Sequence, residues 1–281
     1  MSDLTQTTSS ARSGASATFG ALAAMLKLGV IEGYTETAAT VGRALTYGMI
    51  VAVMWSIWRI TPLGEAFKSG QSYSMEQLVW YVALTELIIF STAHLFREVQ
   101  DEIRSGALTC QIVRPVAWPL LTITRWYGRF LAQLSLLAIV GSVVSLVLTK
   151  GAWVIPLSSL PLLVPMLLLA GLLGTMGQFA VGVACLWAGK SEPVYWIWQK
   201  SVFVLGGLLI PLGFYPELLQ SIAWATPFPA MLHVPAMTAL GTDANALWLA
   251  LGNQVLWAVL FSLASWLLWR GTLKRIGKIG D

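Results

Sequence analysis

Long apolar runs separated by short polar stretches dominate the sequence. Six of them predict membrane spans, numbered 1 to 6 in chain order. They cover residues 44–62, 77–95, 130–149, 161–188, 201–214 and 247–269. A helix that crosses a bilayer needs roughly 20 predominantly apolar residues, which is close to the length of most of these runs. The fifth run is shorter because Pro211 interrupts it, and it predicts a Gly/Pro-broken helix followed by an irregular piece.

The composition agrees with this pattern. Of the 281 residues, 57% are hydrophobic and only 11% are charged, whereas soluble domains carry about a quarter charged residues. A single soluble core of this length has no place for so many apolar side chains, but a helix bundle exposes them to lipid. The chain is therefore predicted to be an all-α integral membrane protein with six transmembrane helices.

The distribution of Lys and Arg predicts the topology. Fourteen of the 17 basic residues lie in the N-terminal region, in segments 96–129 and 189–200, and in the C-terminal region. The other three are Arg59, Lys68 and Lys150. Because basic residues accumulate on the cytoplasmic side, both termini and segment 96–129 are expected in the cytoplasm. An even number of spans agrees with that arrangement.

The region before span 1 divides in two. Residues 1–18 are rich in Ser, Thr and Ala and predict a disordered tail. Residues 19–43 place apolar residues such as Phe19 and Val30 at helical spacing, which predicts an amphipathic helix on the inner membrane surface. A cytoplasmic extension of span 1 is the alternative. Residues 44–281 then form a single transmembrane domain.

Residues 211–246, between spans 5 and 6, contain several prolines and neither Lys nor Arg. The prolines are Pro211, Pro216, Pro227, Pro229 and Pro235. Proline ends or kinks a helix, so short helices are predicted in place of one long helix. At membrane depth such backbone must be covered by protein or line a water-filled cavity. The segment is therefore predicted to be re-entrant in the outer leaflet, as an exit mouth or as a simple outer cap.

Residues with catalytic or metal-binding chemistry are few. The two histidines, His94 and His233, and the two cysteines, Cys110 and Cys185, form no metal-binding or nucleophilic motif. Residues 184–191, "ACLWAGKS", end like a phosphate-binding P-loop, but Ala replaces its first glycine and the run ends a membrane helix. The sequence predicts no metal site, no cofactor bound by this chain and no nucleic-acid partner.

Glu86 lies near the middle of span 2, in "YVALTELIIF". A carboxylate at mid-bilayer costs about 2.5 to 3.5 kcal/mol on insertion scales, so it is expected to face the bundle and to be paired or protonated. It could contact a substrate or a proton along a pathway, or make a hydrogen bond that fixes helix packing. No Lys or Arg lies at a matching depth within another span, which favours the packing role.

A polar segment, residues 97–118, joins spans 2 and 3. Charged residues that include Asp101, Glu102 and Arg104 predict a short helix, and Gly106 permits the turn that ends it. The segment is expected to lie close to the bilayer because spans flank it on both sides.

Three apolar residues that follow this turn are Leu108, Ile112 and Val113. At this spacing they predict a ridge that fills a groove of a soluble partner. A partner that grips the segment would move spans 2 and 3 together, as a lever does.

This segment resembles a known family. The motif "E-I-R-S-G-x-L … L-R-P-V" of ABC-2 type ABC transporter permeases is similar to Glu102-Ile103-Arg104-Ser105-Gly106, Leu108 and Arg114-Pro115-Val116. The likeness covers most of the chain in order: an inner-surface helix, six spans, this loop and a proline-rich outer segment. It is nearest to the branch of antibiotic or viologen exporter permeases. Where that branch usually has Leu and an acidic or aromatic residue, this chain has Cys110, Gln111 and Ile112.

The resemblance implies that Asp101 to Val116 form a coupling helix that docks into a groove of a separate ATP-binding subunit. The residues expected at this contact are Asp101, Glu102, Arg104, Ser105, Gly106, Leu108, Arg114 and Pro115. Two ATPase copies carrying ATP and Mg would serve two permeases, as a homodimer or as a heterodimer of related chains. Substrate would leave along the permease dimer interface, lined by spans 1, 2 and 5, where Glu86 is the candidate pathway residue.

The function implied by this likeness is that of a permease subunit of an ABC exporter. It would move a hydrophobic or amphiphilic substrate out of the cell across the bacterial cytoplasmic (inner) membrane. Two alternatives stay open. One is an ion-coupled secondary transporter with Glu86 as its proton site, and the other is a membrane scaffold that transports nothing.

Overall fold

The computed structural model describes residues 2–61, 73–92, 94–112, 116–241 and 244–277, with the backbone alone at 2–16, 109, 112, 244–247 and 275–277. The described residues form helices and no strand. The helices are α1 (Ser2–Thr35), α2 (Thr37–Ile60), α3 (Met75–Ser91), α4 (Leu95–Arg104), α5 (Ala107–Ile112), α6 (Trp118–Leu148), α7 (Leu160–Val183), α8 (Cys185–Ala188), α9 (Glu192–Leu205), α10 (Glu217–Trp224), α11 (Phe228–Met231), α12 (His233–Ala239) and α13 (Ala244–Gly277).

Five stretches of the described chain are helical, long and apolar enough to cross a membrane. They are Thr37–Ile60, Met75–Arg104, Trp118–Leu148, Leu157–Ala188 and Trp248–Lys274. These stretches correspond to predicted spans 1, 2, 3, 4 and 6. The prediction of an all-α protein with several membrane-spanning helices is confirmed.

Predicted span 5, residues 201–214, is not among these stretches. Helix α9 has only 14 residues and begins at Glu192, so it takes up much of the segment 189–200 that was expected to separate spans 4 and 5. It ends where Gly207 adopts a φ of +69°, a left-handed conformation that residues with a side chain rarely adopt. The predicted helix was therefore too far toward the C-terminus, because glycines within the apolar run end the helix before Pro211.

Side chains of α3 bond the carbonyl groups that this break leaves without a helical partner. The hydroxyl of Tyr81 donates to the carbonyl oxygen of Gly207 at 2.5 Å, and that of Thr85 donates to the carbonyl oxygen of Leu208 at 2.6 Å. Both side chains are fully buried. Helix α3 thus supports an irregular backbone inside the protein, as membrane depth requires.

The proline-rich segment after this break consists of short helices. Helices α10, α11 and α12 have 8, 4 and 7 residues, which confirms the prediction that proline excludes a long helix here. Helix α12 packs against α3 and α7, and its His233 has Nδ1 3.0 Å from the Tyr81 hydroxyl. The segment therefore covers the broken end of α9 with protein.

The N-terminal region differs from its prediction. Helix α1 begins at Ser2, where a disordered tail over residues 1–18 was expected. Residues 1–18 contain no proline, the residue that most strongly interrupts a helix. The helix predicted over residues 19–43 is divided at Glu36, whose backbone is not helical.

Helix α1 lies against α6 through small residues. The carbonyl oxygen of Arg125 occupies the place that a Cβ at Gly29 would take, and a Cβ at Gly33 would lie 2.7 Å from the Cβ of Ala132. Glycine at both positions allows the two backbones to approach closely. On α1, Ile31 remains 50% exposed, so its apolar side chains are available to a surrounding lipid phase.

Gly29→Val is expected to separate α1 from α6, because the new side chain would overlap the Arg125 carbonyl. Overpacking usually destabilises by about 1 to 3 kcal/mol, so the variant should unfold at a lower temperature in detergent and release α1 faster to protease. Gly20→Val is the matched control, since no atom lies within 4 Å of a Cβ at Gly20. Equal stability of the two variants would contradict the close contact.

Candidate functional site

Helix α4 is amphipathic. Leu95, Phe96 and Val99 are at most 1% exposed, whereas Asp101 and Arg104 are exposed. The apolar residues recur at helical spacing and form one buried face, so the charges share the opposite edge. The short charged helix predicted between spans 2 and 3 is present.

The buried face of α4 rests on α7 and α9. A Cβ at Gly182 of α7 would lie 2.6 Å from the Cβ of Val99, so a glycine is needed for this approach. Phe96 stacks on Tyr195 of α9 with ring centroids 4.0 Å apart. Helices α7 and α9 are thus packed directly against the charged segment.

A polar contact reinforces this packing. The Oε1 atom of Gln100 accepts hydrogen bonds from the backbone N–H and the hydroxyl of Ser191, at 2.6 and 2.7 Å. Ser191 is the last residue of the P-loop-like run 184–191, and both its donors bond α4. In this protein, that run serves to attach the start of α9 to α4.

An ionic junction ties α4 to the N-terminal helices. It consists of Glu32, Glu36, Arg43, Glu98, Arg125 and Arg129. Arg125 on α6 lies at its centre, with Nη2 2.7 Å from Glu32 Oε1 on α1 and Nη1 3.0 Å from Glu98 Oε1 on α4. Arg129 adds a contact of 2.8 Å from its Nε to Glu32 Oε2. The junction therefore joins α1, α4 and α6 through charge-assisted hydrogen bonds, which are stronger than hydrogen bonds between neutral groups.

The charge state of Glu32 controls this junction. Partial burial raises the pKa of Glu32, but hydrogen bonds from Arg125 and Arg129 outweigh it and hold the pKa below its ordinary value of 4.5. A carboxylate whose pKa is lowered by folding stabilises the folded state above its unfolded pKa, and this contribution is lost as the pH falls through the folded pKa. The junction is therefore intact at neutral pH and weakens in acid.

Acidification from about pH 6 through the lowered pKa is expected to loosen α1. Limited proteolysis of α1 or hydrogen exchange of its amides at a series of pH values measures this change. Glu32→Gln is the control, because it cannot titrate there and should lack this part of the pH dependence. Identical pH profiles for the two proteins would show that Glu32 does not hold α1.

The structure divides the residues predicted at the partner contact. Those that are exposed are Asp101, Arg104, Ser105 and Gly106. Asp101 and Arg104 form no ion pair with another described residue. Arg114 and Pro115 lie outside the described residues. An exposed edge with both signs of charge therefore runs from the end of α4 into the turn before α5.

Two of the predicted contact residues face the protein. The Nε1 atom of Trp118 donates to Glu102 Oε2 at 2.6 Å, and Leu108 is 1% exposed in an apolar cluster with Phe179. The prediction that Leu108 forms an outward ridge was wrong, because the turn at Gly106 folds α5 back over the start of α6. The side chains of the other two ridge residues lie outside the described part of the chain.

Leu108→Ala is expected to destabilise the fold by about 2 to 5 kcal/mol, the range for truncating a buried leucine. Thermal unfolding in detergent measures the loss. The neighbouring exposed residue supplies the control, since Ala107→Ser should leave the unfolding temperature unchanged. A Leu108→Ala variant as stable as this control would contradict the burial of Leu108 and would support the predicted outward orientation.

A cleft of about 300 Å³ lies between α2, α3 and α9, beside the start of α4. Its polar wall consists of Arg43, Glu86, Thr92, His94, Tyr195 and Gln199. Its apolar wall consists of Ile50, Ile89, Phe90, Phe203 and Leu208. The size and the mixed lining are those of a small-molecule site, in which a few polar groups stand among apolar and aromatic ones.

Glu86 is 2% exposed and lines this cleft. Among the described residues it has neither a hydrogen bond nor an ion pair. The packing hypothesis required a hydrogen bond to another helix, and the described part of the chain provides none. The pathway role predicted for Glu86 stays a prediction.

A comparison with protein families decides the class of the chain. A family model described as "ABC-2 family transporter protein" matches residues 49–277, a range that includes Glu86, α4 and α5. The chain belongs to the ABC-2 transporter family. No curated protein matches it. As an ABC-2 permease it is a multi-pass membrane subunit for transport rather than a catalytic subunit, and the family implies association with an ABC ATPase.

Sequence patterns did not identify the residues that support α4 in this ABC-2 permease. The bond between Gln100 and Ser191 joins positions 91 residues apart, and that between Arg125 and Glu98 joins positions 27 apart. The spacing of residues along the sequence indicates which side chains lie together on one helix, but it does not indicate contacts between residues of different helices. The only signal was a pair of arginines, Arg125 and Arg129, at the start of an otherwise apolar helix.

Proposed function

We propose that this protein is the permease subunit of an ATP-driven exporter for a hydrophobic or amphiphilic substrate. The construction of α4 carries the proposal. Its buried face is packed on α7 and α9, and its exposed edge presents Asp101 and Arg104, neither of which has an ion-pair partner among the described residues. A partner that moves this edge would move the helices packed against it as a rigid body.

The partner is a separate ATPase, which would bind ATP and Mg. Its groove would contact Asp101, Arg104, Ser105 and Gly106, with Arg114 and Pro115 beyond them. Glu102 and Leu108 would act from inside, because their contacts with the start of α6 and its neighbours hold the exposed edge in place. Charges at such an edge select the partner and orient it.

The assembly would contain two permeases, identical or related, and two ATPases. It would lie in the bacterial cytoplasmic membrane with both termini in the cytoplasm, as the distribution of basic residues favours. Helix α9 and the irregular backbone after it would together form span 5, which brings the number of crossings to six. Irregular backbone at that depth is supported by its bonds to Tyr81 and Thr85.

The substrate would pass along the cleft between α2, α3 and α9, which correspond to predicted spans 1, 2 and 5. Glu86 is the candidate contact there. A carboxylate within the membrane that no described residue pairs with is typical of a substrate or ion pathway.

Purification of the permease in mild detergent is expected to bring down an ATP-hydrolysing chain. Asp101→Lys combined with Arg104→Glu reverses the exposed charges at constant net charge, and should lower the recovered ATPase activity about tenfold or more. Glu76→Lys combined with Arg59→Glu is the matched control, because both residues line a different cleft, at the start of α3. This control should retain the activity.

Full retention of the ATPase by the charge-reversed variant would refute the role of the α4 edge. Flux in liposomes that is driven by a pH gradient without ATP, and that Glu86→Gln abolishes, would instead establish an ion-coupled carrier. A chain that neither retains an ATPase nor moves any solute would be a scaffold.

A further inference from the structure

We infer that the cleft beside α3 binds a protonated amine, whose N–H groups donate to Glu86 and Gln178. The inference rests on the proposed function in one respect, since the bound amine is taken to be the transported molecule. The argument itself depends only on groups in the cleft.

The first group is the carboxylate of Glu86. It is 2% exposed, lines the cleft of about 300 Å³, and forms no ion pair with another described residue. A charge held away from water is stable only when it is paired and hydrogen-bonded. Two basic residues, Arg43 and His94, also line this cleft. Arg43 is paired with Glu36 through its Nη2 atom at 2.9 Å, and its buried Nη1 atom has no hydrogen-bond partner among the described residues.

The second group is the amide of Gln178 on α7. Its side chain is 5% exposed, and its buried Oε1 atom has no hydrogen-bond partner. It lines a smaller cleft of about 40 Å³ that adjoins the first. The residues that line both clefts are Ile89, Thr92, Tyr195, Gln199 and Phe203. Two acceptors without hydrogen-bond donors therefore belong to residues of α3 and α7 that line adjoining clefts.

The chemistry of these acceptors defines the ligand. A carboxylate oxygen and an amide oxygen both need N–H or O–H donors, and buried acceptors left without one are destabilising. The negative charge of Glu86 selects a cation among the possible donors. A protonated amine meets both needs, whereas a quaternary ammonium supplies the charge without a donor.

The rest of the wall defines the body that carries the amine. Phe90, Tyr195 and Phe203 place aromatic rings around the cleft. Aromatic faces attract cations and apolar groups, so they suit an amine attached to an apolar or aromatic body. The ligand class is therefore an amphiphilic primary or secondary amine.

Three probes that share a naphthylmethyl body test this inference on the purified full chain in lipid nanodiscs. They are 1-naphthylmethylamine, its trimethylammonium analogue and 1-naphthalenemethanol, and equilibrium dialysis measures their binding. The amine should bind about tenfold or more tightly than either analogue, because only the amine combines charge with donors. Equal affinities for the amine and the quaternary analogue would overturn the role of N–H donors.

Glu86→Gln and Gln178→Leu should each weaken binding of the amine, the first by about tenfold or more and the second by a smaller factor. They should reduce the preference for the amine over the alcohol and leave the alcohol itself unaffected. Glu76→Gln is the matched control, because it removes an acid from the opposite end of the same helix. Unchanged affinity in the folded Glu86→Gln protein would refute the site.

These measurements separate the inference from the proposed function. Loss of ATPase recovery tests the α4 edge and involves no amine, while dialysis requires no ATPase. Amine binding without an ATP-hydrolysing partner would leave the site intact and overturn the exporter. An ATP-driven permease that does not distinguish the three probes would leave the exporter intact and overturn the amine.

Discussion

A polar group inside hydrocarbon has no water to bond with, and this constraint decides where the side chains of this permease lie. Helix α3 shows it most directly. It is buried on nearly all sides, yet it carries Tyr81 and Thr85, whose hydroxyls bond the carbonyls of Gly207 and Leu208. These bonds allow α9 to end within the bundle. Without α3 beside it, the break would leave two buried carbonyl groups without a hydrogen bond, which would destabilise the fold by about 1 to 3 kcal/mol for each group.

The same constraint explains the construction around α4. Arg125 lies on α6, a helix long and apolar enough to cross a membrane, so its five N–H groups need acceptors, and Glu32 and Glu98 provide them. These partners come from α1 and α4, so the ion pairs that satisfy Arg125 also hold these two helices against α6. Gln100 and Ser191 attach α9 in the same manner. Helix α4, which carries the proposed partner contact, is thereby tied to α1, α6 and α9 by polar contacts in addition to its buried apolar face.

The sequence predicted what local pattern controls. Apolar length located five spans, proline predicted the short helices α10 to α12, and charge spacing predicted α4. Local pattern failed where distant residues decide the outcome. Leu108 was expected to face outward, but the turn at Gly106 buries it against Phe179 of α7. The boundaries of α9 depend on bonds from α3, and the role of Ser191 depends on Gln100, so neither could be predicted from the residues next to them.

The constraint also has exceptions, and their position is informative. Glu86 lacks a partner among the described residues, and so does the Oε1 atom of Gln178. Both line clefts that Tyr195 borders, and the ring of Tyr195 stacks on Phe96 of α4 at 4.0 Å. A displacement of α4 must therefore displace a wall of the space that these acceptors face, since stacked rings in a close-packed interior move together. The proposed contact surface for the ATPase and the unsatisfied polar groups are thus connected through one aromatic pair, by which ATP hydrolysis could change the affinity of this cleft for its proposed ligand.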